Sequence, residues 1–247
     1  MSVDTIPPKI HCFEEVSSTM EVAREMLTRP TCDVPFAVLA ETQSLGRGTT
    51  GRKWSSPKGN VYLTICVATG EVREDVIPIL PLVCGLACRA AVMELIKGAT
   101  LHLKWPNDII YAGKKVGGSL VESTAEHLII GIGLNVGVAP PVTDAGRESE
   151  AINHIATALG VPAVTPQAVA EVVWKHFFKL LCAKDLTASE IIQRFEEVMD
   201  TSLTLYRRTA AGRDSVPLYA VRLNEWGHLV VRLPDGSEDT LVAEYLF

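Results

Sequence analysis

The sequence predicts an α+β fold, in which a mixed, largely antiparallel sheet carries packed helices. Between residues 10 and 136, short apolar runs are bounded by turn residues, as β-strands are, and few helical segments interrupt them. From about residue 203 the pattern changes to shorter alternating runs, which predict a small β-barrel-like module. We therefore expect a large domain over residues 1–200 and a small one over residues 201–247.

The N-terminal part predicts two strands separated by a helix. The apolar runs at residues 10–16 and 36–40 are typical of strands, and apolar side chains recur at helical spacing over residues 20–27. Ser18, with Glu21 three residues later, resembles a helix start with a side-chain cap. A helix N-terminus also suits ligand hydrogen bonds, so both interpretations stay open.

The middle of the sequence predicts a buried helix surrounded by strands. Residues 76–97 are apolar and place Cys84 and Cys88 on one helical face. Further strands are predicted at residues 61–67, 101–105, 109–111, 116–122 and 128–136. Residues 137–150, rich in proline, glycine and charge, predict a surface loop.

The C-terminal third predicts two helices followed by short strands. The helices span residues 166–183 and 188–199, and either Thr187 or Ser189 is expected to cap the second. Asp235-Gly236 predicts a hairpin turn. The predicted strands of the small module are residues 220–223, 229–233 and 240–243.

Charge and cysteine content argue against several classes of protein. The formal net charge of −6 disfavours general binding to nucleic acid or to a membrane surface. Six scattered cysteines without a C-x-x-C pair indicate neither a zinc site nor a disulfide framework. The N-terminus lacks a signal-peptide pattern, and we expect that no apolar run approaches the length of a membrane span. We expect a reducing, cytoplasmic compartment.

The stretch Glu41 to Trp54, ETQSLGRGTTGRKW, predicts an anion-binding loop. Its three glycines allow the backbone to approach a ligand closely, and successive backbone N–H groups in such a loop can bind an anion. Arg47, Arg52 and Lys53 add three positive charges, so a phosphate or a carboxylate is the expected ligand. The alternative is a flexible, solvated basic loop.

A second stretch, KWPNDIIYAGKKVGG, adds groups suited to phosphate chemistry. Asn107 and Asp108 end one predicted strand, and Lys115 lies on the next. A single aspartate can position a magnesium ion that phosphates also bind, and a lysine can neutralise two anions brought together. The alternative is ordinary turn chemistry at Pro106-Asn107-Asp108 and a solvated turn at Lys114-Lys115.

Together these motifs resemble those of the biotin protein ligases, also called biotin–acetyl-CoA-carboxylase ligases. That family's pattern is Ser-Thr-Asn, Gln, GRGRxGRxW, KWPND, K-x-x-G and GxGxN. In the same order this chain has Ser18-Thr19-Met20, Gln43, GRGTTGRKW at 46–54, KWPND at 104–108, KVGG at 115–118 and GIGLN at 131–135. The C-terminal module is similar to the SH3-like barrel of the family. No DNA-binding segment precedes residue 10, as the resemblance implies for ligases that are not also repressors.

The resemblance implies two half-reactions. Biotin and MgATP give biotinyl-5′-adenylate and pyrophosphate, and a lysine of a biotin carboxyl carrier domain then attacks the mixed anhydride. The implied catalytic residues are Arg47, Lys115 and Asp108, and Asp108 is also the implied ligand of Mg²⁺. The implied biotin contacts are Ser18, Thr19, Met20, Gln43, Gly46, Arg47, Gly48, Thr49, Lys115, Gly117 and Gly118. The implied ATP contacts are Arg47, Arg52, Trp54, Asn107, Lys115 and Asn135.

The sequence departs from the family pattern at two positions. Thr49 stands where the family has arginine, and Met20 stands where asparagine is common. The arginine helps to fold the loop over the adenylate, so we hypothesise that this chain releases biotinyl-adenylate more readily than its relatives. The alternative is that Arg52, Lys53 or another cation compensates.

Other functions remain open. A lipoate or octanoate ligase of the same superfamily shares the lysine and its following glycine, although GRGxxGRxW with KWPND favours biotin. A non-catalytic biotin or adenylate binder is consistent with Thr49 and Met20, but the retained Arg47, Asp108 and Lys115 favour catalysis. Nucleic-acid binding is disfavoured by the acidic C-terminal module. A homodimer is left open.

Overall fold

The structure, a computed structural model, describes residues 9–141, 148–209 and 212–242. Within these ranges the strands form one seven-stranded and one four-stranded sheet. The strands are β1 Ile10–Val16, β2 Phe36–Gln43, β3 Val61–Ala68, β4 His102–Lys104, β5 Asp108–Tyr111, β6 Lys114–Ser123, β7 His127–Leu134, β8 Thr204–Thr209, β9 Gly212–Leu223, β10 Leu229–Arg232 and β11 Glu238–Leu241. The α-helices are α1 Thr19–Leu27, α2 Leu80–Leu95, α3 Ile152–Ala158, α4 Pro166–Leu181 and α5 Ala188–Glu196.

The large sheet has the order β1-β2-β3-β7-β6-β5-β4. Strand β1 pairs in parallel with β2, and the other neighbouring pairs are antiparallel, which confirms the predicted α+β class. The outer edge of β4 is covered by a later segment, because Leu103 N–H donates to the Val198 carbonyl at 3.0 Å and Asp200 N–H donates to the Leu103 carbonyl at 2.8 Å. Such covering satisfies backbone groups that an exposed edge would leave unpaired.

Helices cover both faces of the large sheet, so its central strands are apolar on both sides. Helix α1 packs on one face, where Met20 and Ala23 join Phe36, Val38, Cys66 and Ile129 in a small core. The other face carries the main core, which includes residues of α2, α3, α4 and α5. Cys84 and Cys88 are both fully buried there, one helical turn apart, as predicted.

Helix α2 is central to the main core. By length and composition alone, the segment Ile77–Leu95, with a mean hydropathy of 1.6, is sufficient to cross a membrane, so the expectation that no run approaches that length was wrong. In the structure, 61% of this segment is buried inside the protein, as in a core helix. Packing on several sides explains the nearly continuous apolar sequence.

The four-stranded sheet is an antiparallel arrangement in the order β11-β10-β9-β8. Leu205, Leu218 and Leu229 bury their side chains in the main core, so the two sheets share one apolar interior. At the turn between β9 and β10, Gly227 accepts a 2.9 Å hydrogen bond from Trp105 Nε1. A side chain at Gly227 would come within 2.9 Å of Ile79. The domain boundary at residues 200 and 201 stays a prediction.

The two predicted helix caps have different outcomes. Ser18 is the N-cap residue of α1, but its side chain makes no capping hydrogen bond, so that part of the prediction was wrong. The first helical N–H, that of Thr19, donates instead to a side chain outside the helix, Gln43 Oε1, at 2.9 Å. Thr187 does cap α5, in a reciprocal capping box with Glu190.

Several boundaries differ from the sequence predictions. Helix α3 was missed within a region predicted as loop and connection, and β6 already begins at Lys114 because the turn lies at Ala112-Gly113. Strand β9 begins at Gly212 rather than near residue 220, because it is a long strand of alternating polar and apolar residues. The turn at Asp235-Gly236 joins β10 and β11, as predicted. Residues 142–147 of the predicted surface loop, and residue 243 of the last predicted strand, lie outside the described residues.

Candidate active site

A cleft of about 960 Å³, including its open mouth, lies between the glycine loop, the start of α1 and strands β6 and β7. The glycine loop is defined here as residues 46–54. Most of the predicted ligand contacts line this cleft: Ser18, Thr19, Met20, Gln43, Arg47, Gly48, Thr49, Arg52, Trp54, Asn107, Lys115, Gly118 and Asn135. Residues that are distant in sequence therefore share one cavity.

Two predicted biotin contacts, Gly46 and Gly117, are not among the residues that line the cleft. A Cβ atom at Gly46 would lie 2.5 Å from both Ser56 Oγ and the Trp54 carbonyl oxygen. A Cβ atom at Gly117 would lie 2.5 Å from the Gly133 carbonyl oxygen. Both glycines therefore permit close packing within the protein.

The glycine loop folds back on itself. Gly48 N–H donates to the Arg52 carbonyl and Trp54 N–H donates to the Gly46 carbonyl, both at 2.8 Å. The tip is a short 3₁₀ turn over Thr49–Gly51, and Gly51 has a φ of +72°, which favours glycine. This conformation brings both arginines and the tryptophan of the loop to the cleft.

A chain of hydrogen bonds fixes the polar end of the cleft. The buried Thr64 hydroxyl donates to Thr19 Oγ1 at 2.8 Å, and the Thr19 hydroxyl donates to Gln43 Oε1 at 3.2 Å. Gln43 Nε2 then donates to Ser56 Oγ at 3.0 Å, and that hydroxyl donates to the Trp54 carbonyl at 3.0 Å. The orientation of the Gln43 amide is thus set by its neighbours before any ligand arrives.

Lys115 lies between a carboxylate and an aromatic ring. Its Nζ is 2.6 Å from Asp108 Oδ1 and 5.4 Å from the centre of the Trp54 ring. The side chains of both Lys115 and Asp108 are 13% exposed, so their charges are partly shielded from water. Asp108 is not among the residues lining the cleft but adjoins it through Lys115. The described residues hold no group of three or more side chains suited to a metal ion.

Arg47 is held by two carboxylates that the sequence analysis did not predict as site residues. Its Nη2 lies 2.8 Å from Glu21 Oε1 on α1 and 3.4 Å from Glu122 Oε2 on β6. Arg24 also contacts both carboxylates. No sequence motif marks Glu122, and Glu21 was noted only as part of a helix start. The two carboxylates lie on different elements, α1 and β6, and only the folded chain brings both of them to the Arg47 guanidinium.

Trp54 packs flat against a glycine of β7. A Cβ atom at Gly133 would lie 2.6 Å from Trp54 Cε2, so only glycine allows the indole to lie on the strand. The buried Trp54 Nε1 has no hydrogen-bond partner among the described residues. A buried donor without a partner is costly, and a ligand group in the cleft could accept from it.

Two asparagines support the wall formed after β7. The Asn60 side-chain oxygen accepts from the backbone N–H groups of Val136, Gly137 and Val138, at 2.9 to 3.1 Å. Asn135 Nδ2 donates to the Lys115 carbonyl at 3.3 Å. Asn135 therefore also has a structural role beside the nucleotide contact predicted for it. Asn60 was not predicted as a site residue, although its place before a buried strand was visible.

Tyr62 also lines the cleft and was not predicted to do so. Its hydroxyl donates to the Pro57 carbonyl at 2.7 Å. Burial raises the pKa of the Tyr62 phenol well above its usual value, so the hydroxyl stays neutral in the physiological range. It fixes the segment that follows the glycine loop.

Comparison with known proteins identifies one family. The model of the biotin/lipoate A/B protein ligase family matches residues 12–135. The biotin–[acetyl-CoA-carboxylase] ligase of Mycobacterium tuberculosis is 35% identical over 138 residues, which are 53% of this chain and 52% of that protein. The chain thus matches about half the length of this curated relative.

Solved structures match over nearly the whole chain. The biotin protein ligase from Leishmania major in complex with biotin is 47% identical, with a TM-score of 0.79, covering 96% of this chain and 100% of that one. The same enzyme in complex with biotinyl-5-AMP is 46% identical, with a TM-score of 0.77 and the same coverage of both chains. With its family motifs assembled around one cleft, the chain belongs to the biotin/lipoate A/B protein ligase family.

Proposed function

We propose that this protein is an ATP-dependent biotin protein ligase, which attaches biotin to a lysine of a biotin carboxyl carrier domain through biotinyl-5′-AMP. The observation that carries the proposal is the cleft that contains Arg47, Arg52 and Lys115 together. The likeness to the Leishmania major ligase in complex with biotinyl-5-AMP supports the choice of intermediate.

The first step brings two anions into contact. A biotin carboxylate oxygen attacks the α-phosphorus of ATP, a new P–O bond forms, and the bond to the β-phosphate oxygen breaks to release pyrophosphate. The two reactants repel each other, so fixed cations lower the barrier most when they lie where charge accumulates. Lys115 is our candidate to bridge the carboxylate and the α-phosphate, and Arg47 is our candidate to neutralise the carboxylate. Positioning of the two reactants then accounts for catalysis, and no side chain of the enzyme acts as a nucleophile.

The ureido ring of biotin fits the polar end of the cleft. It presents N–H donors and a carbonyl acceptor, and Ser18, Thr19 and Gln43 offer matching groups there. Met20 and the Gly118 backbone would contact the apolar part and the ring edge. The fixed Gln43 amide favours one ring orientation, because its oxygen already accepts from Thr19 and its nitrogen donates to Ser56.

The nucleotide would occupy the side of the cleft formed by the glycine loop. Arg52 would contact the triphosphate, while Trp54, Asn107 and Asn135 would contact the rest of the nucleotide. The residues present fit a magnesium ion only if phosphate oxygens and water supply most of its ligands, with Asp108 as one carboxylate. Such an ion would neutralise phosphate charge.

In the second step the carrier lysine amine attacks the acyl carbon of the adenylate. An amide bond forms, the acyl–oxygen bond to AMP breaks, and the amine loses a proton. Asp108 is our candidate to orient that amine. The six cysteines are free, which supports a reducing, cytoplasmic compartment for this chemistry, and homodimer formation stays open.

The test is mass spectrometry of a carrier domain incubated with biotin, MgATP and this protein. The proposal expects a single biotinyl addition at one lysine, dependent on ATP. No addition, in a reaction where a known biotin ligase modifies the same carrier domain, would refute it.

A lipoate or octanoate ligase is the second candidate, because the matching family model covers both classes. Pyrophosphate release measured with ATP and each acid in turn distinguishes them. The proposal expects release with biotin and little with lipoate or octanoate. Biotin binding without pyrophosphate release would indicate a non-catalytic binder instead.

A further inference from the structure

Two atoms of the Arg52 guanidinium contact Thr49, three residues earlier in the glycine loop. Nη2 donates to the Thr49 hydroxyl at 2.7 Å, and Nε donates to the Thr49 carbonyl at 3.2 Å. The Arg52 backbone N–H donates to the same carbonyl at 3.3 Å. Two hydrogen bonds from one planar group set both its position and its plane.

This contact is formed inside the cleft. Thr49 and Arg52 both line it, and both are partly buried. A long arginine side chain loses rotamer freedom when it binds an anion, and that loss is smaller when the side chain is already held. The Thr49 hydroxyl therefore prepares Arg52 for an anionic ligand.

Thr49 is the position at which the sequence departs from the family pattern, where arginine is usual. A second guanidinium beside Arg52 would add charge but would supply no acceptor, since arginine has only donors. Threonine supplies an oxygen, and the structure uses it on Arg52. The departure thus replaces a cation with a group that orients the neighbouring cation.

We infer that Thr49 is a positioning residue for the nucleotide, whose hydroxyl holds the Arg52 guanidinium in the orientation that receives the triphosphate. This inference rests on the proposed function, because it takes ATP as the anion. It assigns the effect of Thr49 to nucleotide binding, whereas the sequence motif alone grouped Thr49 with the biotin contacts.

The test compares Thr49→Val, which keeps the shape and removes the hydroxyl, with Thr49→Ser, which keeps the hydroxyl. Binding of a non-hydrolysable ATP analogue to the full chain is measured by calorimetry, with magnesium and without biotin. Thr49→Val should weaken binding about fivefold to tenfold, which corresponds to the net contribution of a typical hydrogen bond. Thr49→Ser should restore affinity to within about twofold of wild type.

A matched control and a double variant sharpen the result. Thr28→Val removes an exposed hydroxyl at the end of α1, which donates to the Glu25 carbonyl at 2.7 Å, and should leave affinity unchanged. With Arg52→Lys already present, Thr49→Val should cost little more, because the coupled partner is gone. Independent, additive losses from the two substitutions would overturn the inference.

Steady-state kinetics distinguish a loss of Arg52 positioning in Thr49→Val from misfolding of the variant. Thr49→Val should raise the KM for ATP in pyrophosphate release while kcat and the KM for biotin change by less than about twofold. Wild-type affinity in Thr49→Val, or equal weakening by Thr49→Ser, would also overturn the inference. If wild type binds the analogue but releases no pyrophosphate with biotin and ATP, the proposed function fails and the inference on Arg52 stands.

Discussion

Lys115 Nζ lies 2.6 Å from Asp108 Oδ1, across the neighbouring strands β5 and β6. An ammonium has three donors, and this contact uses one of them. The pair therefore orients the lysine while leaving capacity for substrate oxygens. The Lys115 ammonium also lies near the Trp54 ring, whose face attracts a cation. The ammonium is thus aimed before substrate binds.

Removing that ammonium should abolish adenylate formation. Lys115→Ala is expected to lower pyrophosphate release with biotin and ATP by about a thousandfold, because the cation proposed to bridge the two anions is lost. Lys114→Ala is the matched control, since Lys114 is the neighbouring residue but forms ion pairs with Glu148 and Glu150 outside the cleft. Near-normal turnover by Lys115→Ala would contradict the catalytic assignment.

Freeing Arg47 from its carboxylates should strengthen biotin binding. Glu21→Gln removes the charge that lies 2.8 Å from Arg47 Nη2, so the substrate carboxylate meets less competition. Exposed ion pairs are weak, so the KM for biotin should fall only about twofold to threefold. Glu25→Gln on the same helix is the control, and the KM is measured from initial rates. An increase in KM would mean that Glu21 orients Arg47.

Restoring the usual arginine should reduce leakage of the intermediate. Thr49→Arg is expected to lower biotinylation of bystander proteins, if the second cation helps to hold the adenylate. The readout is avidin staining of bovine serum albumin mixed with enzyme, biotin and MgATP, without a carrier domain. Equal leakage from both proteins would reject the leaky-site hypothesis and favour compensation by Arg52 or Lys53.

The buried thiols should resist alkylation in the folded protein. Burial raises the pKa of both Cys66 and Cys84 to about 12, so little thiolate forms near neutral pH. Mass spectrometry after iodoacetamide treatment at pH 8 should show Cys12, which is exposed, modified well before them. Fast labelling of Cys84 would contradict its burial.

The same buried thiols should lower the free energy of unfolding at high pH. An exposed thiol has an ordinary pKa of 9.0, so the unfolded chain loses these protons before the folded chain does. Stability from these groups is therefore present below pH 9 and falls as the pH rises from 9 toward 12. The decline should be smaller in a Cys66→Ala variant, measured by urea unfolding at pH 8 and pH 10.

A side chain at Gly117 should destabilise the fold. The added Cβ of Gly117→Ala would lie 2.5 Å from the Gly133 carbonyl, so the strands β6 and β7 must separate. We expect a loss of about 1–3 kcal/mol in the free energy of unfolding. Gly70→Ala is the control, since its Cβ would have nothing within 4 Å. An unchanged stability with weaker biotin binding would restore Gly117 as a ligand contact.

The sequence predicted the strands and helices better than it predicted the contacts between their side chains. The long apolar runs identified β2, β3 and α2, because periodicity and burial act locally. Helix α3 and the start of β9 were missed, since a seven-residue helix and a polar alternating strand carry weak periodic signals. The side-chain cap predicted for Ser18 was wrong, and the bond that does form at this helix start, from the Thr19 N–H to the distant Gln43, is not visible in the local sequence.

The same distinction applies to the site. Motif residues such as Lys115 and Arg52, which were singled out for their charges and by the family resemblance, do line the cleft. Glu21 and Glu122 were not, because their contact with Arg47 depends on how α1 lies beside β6. No pattern in the sequence indicates that these residues are neighbours in the fold.

The hydrogen bond from Trp105 to Gly227 links the KWPND segment with a turn 122 residues downstream. Displacement of that turn, by truncation or by a bulky residue at Gly227, should be transmitted to the strand end that carries Asn107 and Asp108. Variants with substitutions at or next to Gly227 should therefore be assayed for turnover as well as for solubility. The turn at Gly227 thus supports the strand end beside the cleft from a distant part of the sequence.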